Sequence, residues 1–282
     1  MTPGERAVAA VDREPFIPET IYVSAEDTGW LVPLRRTHDP ATWRAHVHAD
    51  APVVTAVEYD PRLPAHLRDP AAGRGVVSTS SSSKPAIMAR MVDALRLAAG
   101  HRVLEIGTGT GWNAAVISNI TGPGTVTTVE VTAELADAAR RALAATGYEV
   151  DVVTGDGERG HPPNAPYDRV IATVAVHTLP YAWVAQTRPG GLLVVPWEPT
   201  FHPDGPLAVL RREGDGTAQG RFVGPAHFMP LHQQRSDTAA PHETREQWEA
   251  TGRPDLTRFG VTVTPEGQQV WLDDPGTPVP SA

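Results

Sequence analysis

Three glycines at alternate positions follow a short apolar run in the segment Val103-Leu-Glu-Ile-Gly-Thr-Gly-Thr-Gly-Trp112. The apolar run predicts a buried strand, and the residues after the glycines predict a helix. Because they lack a Cβ, Gly107, Gly109 and Gly111 let the backbone turn tightly and approach a ligand, and the helix N-terminus offers unpaired amides. The pattern is typical of a turn that holds a nucleotide.

Two glutamates lie beside this turn. Glu130 ends the next strand-like run, 125–129, where its carboxylate can accept hydrogen bonds from both hydroxyls of a ribose. Glu105 precedes the glycines; its charge suits a ligand with a cationic amino-acid end and would repel a pyrophosphate. A dinucleotide-binding loop would carry a third glycine where Trp112 stands. We therefore expect S-adenosylmethionine; the alternative is an ordinary strand-turn-helix connection.

Composition limits the class of protein. The 282 residues can form one large α/β core with an appendage. A net charge of −9 argues against a surface for nucleic-acid phosphates. We see neither an apolar run of roughly 18 residues nor an N-terminal signal, so we expect a cytoplasmic protein that does not bind membranes. With 0 cysteines there is no disulfide or cysteine nucleophile. The spacing of His46 and His48 is not a recognised ligand pattern, and we expect no metal.

Alternating strand and helix patterns predict the fold. Helices are expected over 86–99, 113–120 and 133–146, and strands over 102–106, 125–130, 150–154, 167–173 and 192–196. An antiparallel pair, 207–212 and 220–227, would close the sheet. A helix at 241–250, a hairpin at 258–272 and a loose tail from residue 274 would follow. We therefore predict a Rossmann-like α/β fold, with a mostly parallel, doubly wound sheet and the ligand at the carboxyl ends of its strands.

The chain divides into three predicted parts: an N-terminal segment with a serine-rich loop (1–85), the Rossmann-like core (86–235) and a C-terminal extension (236–282). The loop is the hydroxyl run Ser78-Thr-Ser-Ser-Ser-Ser83. Serine tracts are often flexible linkers. This one directly precedes a helix and lies next to the cofactor end of the sheet, which favours an anion-binding loop.

An ordered series of short motifs resembles the protein-L-isoaspartate O-methyltransferase family. Residues 13–19, Arg-Glu-Pro-Phe-Ile-Pro-Glu, resemble its basic-residue then Phe-Val-Pro segment, and 103–112 its cofactor loop. The other matches are Gly155-Asp-Gly157, Pro166-Tyr-Asp-Arg169, Arg188-Pro-Gly-Gly191 and Phe228-Met-Pro-Leu231. The resemblance spans most of the chain. It implies the class I methyltransferase fold, with S-adenosylmethionine as donor, S-adenosylhomocysteine as product and a carboxylate of a peptide or protein as acceptor.

The resemblance also implies roles for residues of the cofactor site. Glu130 would hold the ribose, and Asp156 would accept a hydrogen bond from the adenine amino group. The residues expected to hold the methionine end are Glu105, Gly107, Thr108, Gly109 and Gly111, and Val131, Gly157 and Thr173 complete the expected cofactor site.

On the acceptor side, the family's Ser-Gln-Pro corresponds to Ser83-Lys84-Pro85, with lysine in place of glutamine. Ser83 is predicted to orient the substrate carboxylate, with Ser81 and Ser82 assisting. Lys84 would steer that carboxylate or lie in solvent, and His177 would touch the substrate or be structural. A carboxylate is already ionised at neutral pH, so the transfer needs no general base.

The serine run and the C-terminal segment resemble one branch of this family, which accompanies ATP-grasp ligases or lanthipeptide enzymes. This implies methylation of an ordinary aspartate in a ribosomally made, cyclised precursor peptide such as a graspetide, followed by closure of the ester to aspartimide. The alternatives are isoaspartate repair, a non-catalytic module that binds S-adenosylmethionine, and a methyltransferase for small molecules, because folds of this type serve many acceptors.

Overall fold

Two sheets position the predicted site in the computed structural model, which describes residues 1–25, 29–58, 77–235 and 241–279. One sheet has four strands and the other has nine.

The four-stranded sheet comes from the N-terminal part. Its elements are α1 (Pro3–Ala9), β1 (Thr20–Ser24), β2 (Leu31–Arg35), α2 (Pro40–His48), β3 (Val53–Glu58) and β4 (Val77–Ser82). The strands are antiparallel, in the order β2-β1-β3-β4. Ile21, Trp43 and Val47 form a small apolar core beneath them. The sequence did not predict this sheet, because most positions of its strands are only partly buried and show no clear alternation.

Residues 78–82 of the serine run lie in strand β4, so the loop expected there is wrong for all of the run except Ser83. Val53 pairs with Ser82 and Val54 with Ser81 across the β3–β4 ladder. Serine has no strong preference for strands, but the backbone hydrogen bonds to a valine-rich neighbour specify the extended conformation.

The nine-stranded sheet carries the predicted core. Its elements are α3 (Pro85–Leu95), β5 (Val103–Ile106), α4 (Trp112–Thr121), β6 (Val126–Glu130), α5 (Ala133–Ala145), β7 (Asp151–Thr154), β8 (Tyr167–Ala172), α6 (Tyr181–Ala185), β9 (Thr187–Pro196), β10 (Pro206–Arg212), β11 (Ala218–Pro225), α7 (Pro241–Ala250), β12 (Phe259–Thr264) and β13 (Gly267–Leu272). The order is β13-β12-β11-β10-β9-β8-β5-β6-β7. Strands β5 to β9 are parallel and β10 to β13 antiparallel. The Rossmann-like prediction is confirmed.

The structure departs most from the sequence prediction in three places. Helix α3 ends at Leu95 because Arg96 is left-handed (φ 50°) and Arg169 donates to the carbonyls of Leu95 and Arg96. Strand β9 starts at residue 187, five residues early, since Pro189 and two glycines obscured its pattern. The tail is not loose up to residue 279: the amide of Val279 donates to the carbonyl of Val270 at 2.9 Å.

Apolar cores join the N-terminal segment to the main sheet. Ala7 and Val11 are buried in the same cluster as Met88 and Met91 of α3 and Ile117 of α4. This packing brings the residues after α1, and with them the serine strand β4, to the carboxyl end of the parallel strands. No described helix is both long and apolar enough to cross a membrane.

Candidate functional site

A cavity of about 1120 Å³ lies between the serine strand and the carboxyl ends of β5, β6 and β8. This is the edge where a parallel sheet binds its ligands. Its wall includes Ser78–Lys84, Ile106–Thr110, Val129–Thr132 and Pro225–Gln233, together with Trp112, Gly157 and Thr173. The two halves of the predicted site therefore face one cavity.

The glycine turn forms the floor of this cavity. Gly107 has φ 91°, and a Cβ there would lie 2.8 Å from Thr173 Oγ1, which itself donates to the Gly107 carbonyl. Gly109 lies against the serine strand, because a Cβ added at Gly109 would be 3.5 Å from the Ser81 carbonyl oxygen. Thr108 also lines the cavity, and its hydroxyl contacts that of Thr128 at 2.8 Å. The turn has the close backbone approach that the sequence predicted.

Gly111 supports the turn from behind and does not line the cavity. It has φ 87°, and its Cβ would lie 3.3 Å from Ala139 and 3.4 Å from Leu143 of α5. We expected it to hold the methionine end, but the structure places it between the first turn of α4 and α5. The lack of a Cβ at Gly111 permits the close packing of these helices.

Glu130 lines the cavity with a fixed carboxylate. Its Oε2 accepts from the Gly109 amide at 3.0 Å and its Oε1 from the Thr132 amide at 3.1 Å. Because a carboxylate has about four lone-pair positions, each oxygen can accept one more hydrogen bond, as two ribose hydroxyls require. Val131, beside it on the wall, is 43% exposed and offers an apolar surface for an adenine ring. The residues present fit an adenosine group.

Glu105 is completely buried and does not line the cavity. Its carboxylate accepts from Asn113 Nδ2 and from Thr128 Oγ1, both at 2.6 Å. Burial raises the pKa of Glu105 to about 7. The direct contact with the methionine end that we expected is therefore not what the structure shows, because the side chain points under α4. Glu105 instead ties α4 to β6 beneath the turn.

Asp156 does not line the cavity, although the next residue, Gly157, does. Asp156 Oδ1 accepts from the Glu158 amide at 3.0 Å and from Gln233 Nε2 at 2.7 Å. The expected contact with an adenine amino group would have to compete with Gln233. Gln233 itself lines the cavity and was missed, although the neighbouring motif 228–231 was recognised in the sequence.

The motif at 228–231 covers the carboxyl end of β8. Ala175 donates its amide to the Met229 carbonyl, and Leu231 donates to the Ala175 carbonyl, both at 2.8 Å. Phe228, Met229, Pro230 and Leu231 thereby form the wall of the cavity next to Thr173. Sequence reasoning assigned no role to this segment, since only the tertiary fold brings it to the site.

The three serines at the end of β4 all line the cavity, but they differ in their partners. Ser82 is 3% exposed, and its hydroxyl accepts from Arg13 Nε at 2.9 Å. Ser81 and Ser83 are partly exposed and lie at alternate positions, on the other side of the strand. Assistance from the Ser82 hydroxyl is therefore disfavoured, whereas orientation of a carboxylate by Ser83 and Ser81 stays a prediction.

Lys84 lies at the rim of the cavity. Its Nζ is 3.3 Å from Asp50 Oδ2, and both side chains are about half exposed. Asp50 Oδ1 also accepts from the Ala86 amide at 2.8 Å, so it caps the first turn of α3. An exposed ion pair of this kind contributes little stability. An exchange of Asp50 for a substrate carboxylate, one of the two roles expected for Lys84, would therefore cost little.

His177 does not line the cavity. Its Nδ1 is 3.0 Å from Thr178 Oγ1. Its amide donates to Gln234 Oε1 at 3.0 Å, and its carbonyl accepts from Gln268 Nε2 at 2.6 Å. Of the two interpretations of this residue, the contact with substrate is disfavoured.

His46 and His48 both lie on α2. His48 Nε2 lies 3.2 Å from Glu14 Oε2, and His46 is exposed. Among the described residues, no three histidine, aspartate or glutamate side chains are grouped to hold a metal ion.

Glu198, just after β9, is a buried carboxylate that sequence reasoning did not single out. It is 4% exposed, and its oxygens lack a hydrogen-bond partner in the described structure. Burial raises its pKa from the ordinary 4.5 to about 7. The folded protein therefore keeps a proton that the unfolded chain releases between pH 4.5 and 7, and stability falls as the pH rises through this window.

We expect Glu198→Gln to raise the melting temperature at pH 8 by about 2–4 °C, the shift of roughly 1 kcal/mol in a domain of this size. At pH 4 the variant should melt like the wild type, because there Glu198 is already neutral. Thermal unfolding at both pH values measures this, with the exposed Glu213→Gln as control. An equal gain at both pH values would contradict a charge effect.

Comparisons with known proteins agree with this geometry. The family model described as Protein-L-isoaspartate(D-aspartate) O-methyltransferase (PCMT) matches residues 66–236. A protein-L-isoaspartate O-methyltransferase of Methanopyrus kandleri is 38% identical over 179 residues, which cover 60% of this chain and 76% of that protein. For two further relatives, from Ignicoccus hospitalis and Hyperthermus butylicus, the chain spans 56% and 65% of their length.

Solved structures show the fold. One protein-L-isoaspartate O-methyltransferase superposes with a TM-score of 0.65 at 21% identity, covering 97% of this chain and 96% of that one. A PCMT structure from Plasmodium falciparum, in complex with S-adenosyl-L-homocysteine, superposes with a TM-score of 0.54 at 12% identity, covering 83% and 92%. The fold is that of class I S-adenosylmethionine-dependent methyltransferases. With the family model matched over more than half of its length, the chain belongs to the protein-L-isoaspartate O-methyltransferase family and is an S-adenosylmethionine-dependent carboxyl methyltransferase.

Proposed function

We propose that the chain methylates the carboxylate of isoaspartyl residues in peptides and proteins. The observation that carries this proposal is the close approach of the two halves of the cavity, where the Gly109 turn lies against the Ser81 carbonyl of the serine strand. A cofactor on the turn and an acid on the strand would then be neighbours. The relatives are named for this activity.

S-adenosylmethionine supplies an activated methyl group when it is bound. One oxygen of the acceptor carboxylate would accept the methyl group, and the electron pair of the broken bond would stay on the cofactor. Within the chain, Ser83 and Ser81 would orient that oxygen, and the apolar wall at Phe228 and Met229 would exclude water from it. Methylation converts the charged carboxylate into a neutral ester. The neutral hydroxyls of Ser83 and Ser81 are therefore sufficient, and no charged side chain is needed at these two positions.

The methyl ester explains why such an enzyme is useful. Methanol is a better leaving group than the oxide of a free carboxylate, so the following backbone nitrogen can attack the ester and close a succinimide ring. Hydrolysis of the ring yields aspartate or isoaspartate. Methylation of isoaspartate therefore starts a repair cycle.

A second candidate is methylation of an ordinary aspartate in a cyclised, ribosomally made precursor peptide. Two observations favour it: the hydroxyl run 78–83 lines the cavity, with Ser81 and Ser83 partly exposed, and Lys84, ion-paired with Asp50, stands at its rim. The C-terminal segment does not favour either candidate, because a solved member of the family superposes on 97% of this chain. Aspartate and isoaspartate differ by one backbone methylene, which a pocket distinguishes by about 1–3 kcal/mol.

Two synthetic peptides that differ only in an isoaspartyl or aspartyl residue test the proposal. With radiolabelled S-adenosylmethionine, we expect kcat/KM for base-labile ester formation to be about 10–200-fold higher on the isoaspartyl peptide. Equal or preferred use of the aspartyl peptide, or activity confined to a cyclised precursor, would favour the second candidate. Binding of S-adenosylhomocysteine without any ester would point to the non-catalytic module. The cytoplasmic location stays part of this proposal.

A further inference from the structure

Arg13 is a buried cation in an unusual position between the two halves of the site. It is 4% exposed and makes five hydrogen bonds within the described part of the chain. All five go to carbonyl or hydroxyl oxygens, while the carboxylate of Asp50 contributes only an electrostatic attraction. A guanidinium that is buried without a direct carboxylate partner needs an explanation.

Three of these bonds hold the end of the serine strand. Arg13 Nε donates to Ser82 Oγ at 2.9 Å, and Arg13 Nη2 donates to the carbonyls of Ser82 at 2.6 Å and Ser83 at 2.8 Å. The two remaining bonds reach the carbonyls of Val47, in the last turn of α2, and of Ala51, two residues before β3. Arg13 therefore specifies the backbone position of Ser83, which directly precedes Lys84 and α3.

The same guanidinium also contacts the cofactor side. Its Cζ lies 5.2 Å from the ring centroid of Trp112, the first residue of α4, directly after the glycine turn. Trp112 Nε1 donates to the Val11 carbonyl at 3.1 Å, two residues before Arg13. Trp112 lines the cavity. The side chain of Arg13 thus joins the serine strand to α4, the helix that begins directly after the glycine turn.

We propose that Arg13 is a positioning residue for methyl transfer, which sets the distance between the carboxylate bound at Ser83 and the methyl donor on the glycine turn. In-line transfer is very sensitive to this distance, because a displacement of about 1 Å can cost about a hundredfold in rate. The inference rests on the proposed function for its acceptor, whether that acid is isoaspartate or aspartate.

Steady-state kinetics of Arg13→Ala and Arg13→Lys test the inference with the peptide that the wild type methylates. We expect kcat to fall about tenfold or more in Arg13→Ala, with the dissociation constant of S-adenosylhomocysteine changed less than twofold. Arg13→Lys should recover only part of the rate, since an ammonium lacks the planar fork of donors. Added millimolar guanidinium should raise kcat of Arg13→Ala and leave the wild type unchanged.

Arg36 provides a matched control in the same N-terminal unit. Its Cζ lies 5.0 Å from the ring centroid of Trp43, and its Nη2 pairs with Glu14 at 2.6 Å, yet it does not line the cavity. Arg36→Ala should keep the wild-type kcat.

Several outcomes would overturn the inference. One is a wild-type kcat in either Arg13 variant. Another is a loss of cofactor affinity that parallels the loss of kcat. The third is a folded Arg13→Ala variant whose kcat guanidinium does not raise. If Arg13→Ala does not fold, Arg13→Lys decides by its kcat at unchanged cofactor affinity. If neither variant folds, the role is structural only and the inference fails. A wild type inactive on every peptide would instead remove the proposed function.

Discussion

Replacing Glu130 with alanine is expected to raise the dissociation constant of S-adenosylhomocysteine about a hundredfold, because hydrogen bonds to a charged group contribute about 1.5–3 kcal/mol each and 1.4 kcal/mol is tenfold in affinity. The carboxylate is already oriented by the amides of Gly109 and Thr132. The variant would thus lose both the ribose acceptors and a partner of the glycine turn. Isothermal titration calorimetry measures the change.

Glu134 provides the matched control for this experiment. It lines the same cavity from the first turn of α5, but its side chain is exposed. Glu134→Ala removes the same charge and should change affinity little, since an exposed charge is screened. A loss of similar size in both variants would indicate a general electrostatic effect, and unchanged affinity in Glu130→Ala would exclude the ribose role.

Replacing Ser83 with alanine is expected to lower kcat for methyl transfer about a hundredfold, which is the usual cost of removing one well-placed hydrogen-bond donor from a reacting group. We expect the cofactor to bind on the glycine turn, so its affinity should stay within twofold of the wild type. Ser83 can act in this way because it lines the cavity while Arg13 holds its carbonyl and not its hydroxyl. Kinetics with a methyl-accepting peptide and calorimetry with S-adenosylhomocysteine separate the two effects.

Ser80→Ala is the control on the same strand. Its hydroxyl accepts from Thr55 Oγ1 at 3.0 Å, and Ser80 is 4% exposed. Loss of this hydroxyl should leave kcat nearly unchanged. A Ser83→Ala enzyme with full activity would remove Ser83 from the mechanism, and an equal loss in Ser80→Ala would indicate damage to β4 as a whole.

The local features of the cofactor site were predictable because they depend on residues close in sequence. The alternating glycines specify a turn that only residues without a Cβ can adopt at Gly107, and strand β6 places Glu130 one strand away at the same edge. Apolar runs and helical spacing similarly predicted the parallel strands β5 to β8. Each of these inferences needs only the geometry of one strand-turn-helix unit.

The direction of individual side chains was much less predictable. Four residues that the sequence analysis placed in the site do not line the cavity: Glu105, Gly111, Asp156 and His177. Glu105 shows why: burial under α4 and two hydrogen-bond donors determine where its carboxylate points, and both come from other elements. A motif specifies residue types, whereas packing between elements decides which face of the backbone a residue occupies.

The sequence by itself determined the Rossmann-like core, the glycine turn and the acid at the end of β6. Only the tertiary structure decided that the serine run is a strand, that Arg13 holds its end, and that the segment at 228–231 completes the cavity. The physical reason is the range of the interactions. Turns and amphipathic helices depend on neighbours in sequence, while strand pairing and buried hydrogen bonds join residues as far apart as Arg13 and Ser82.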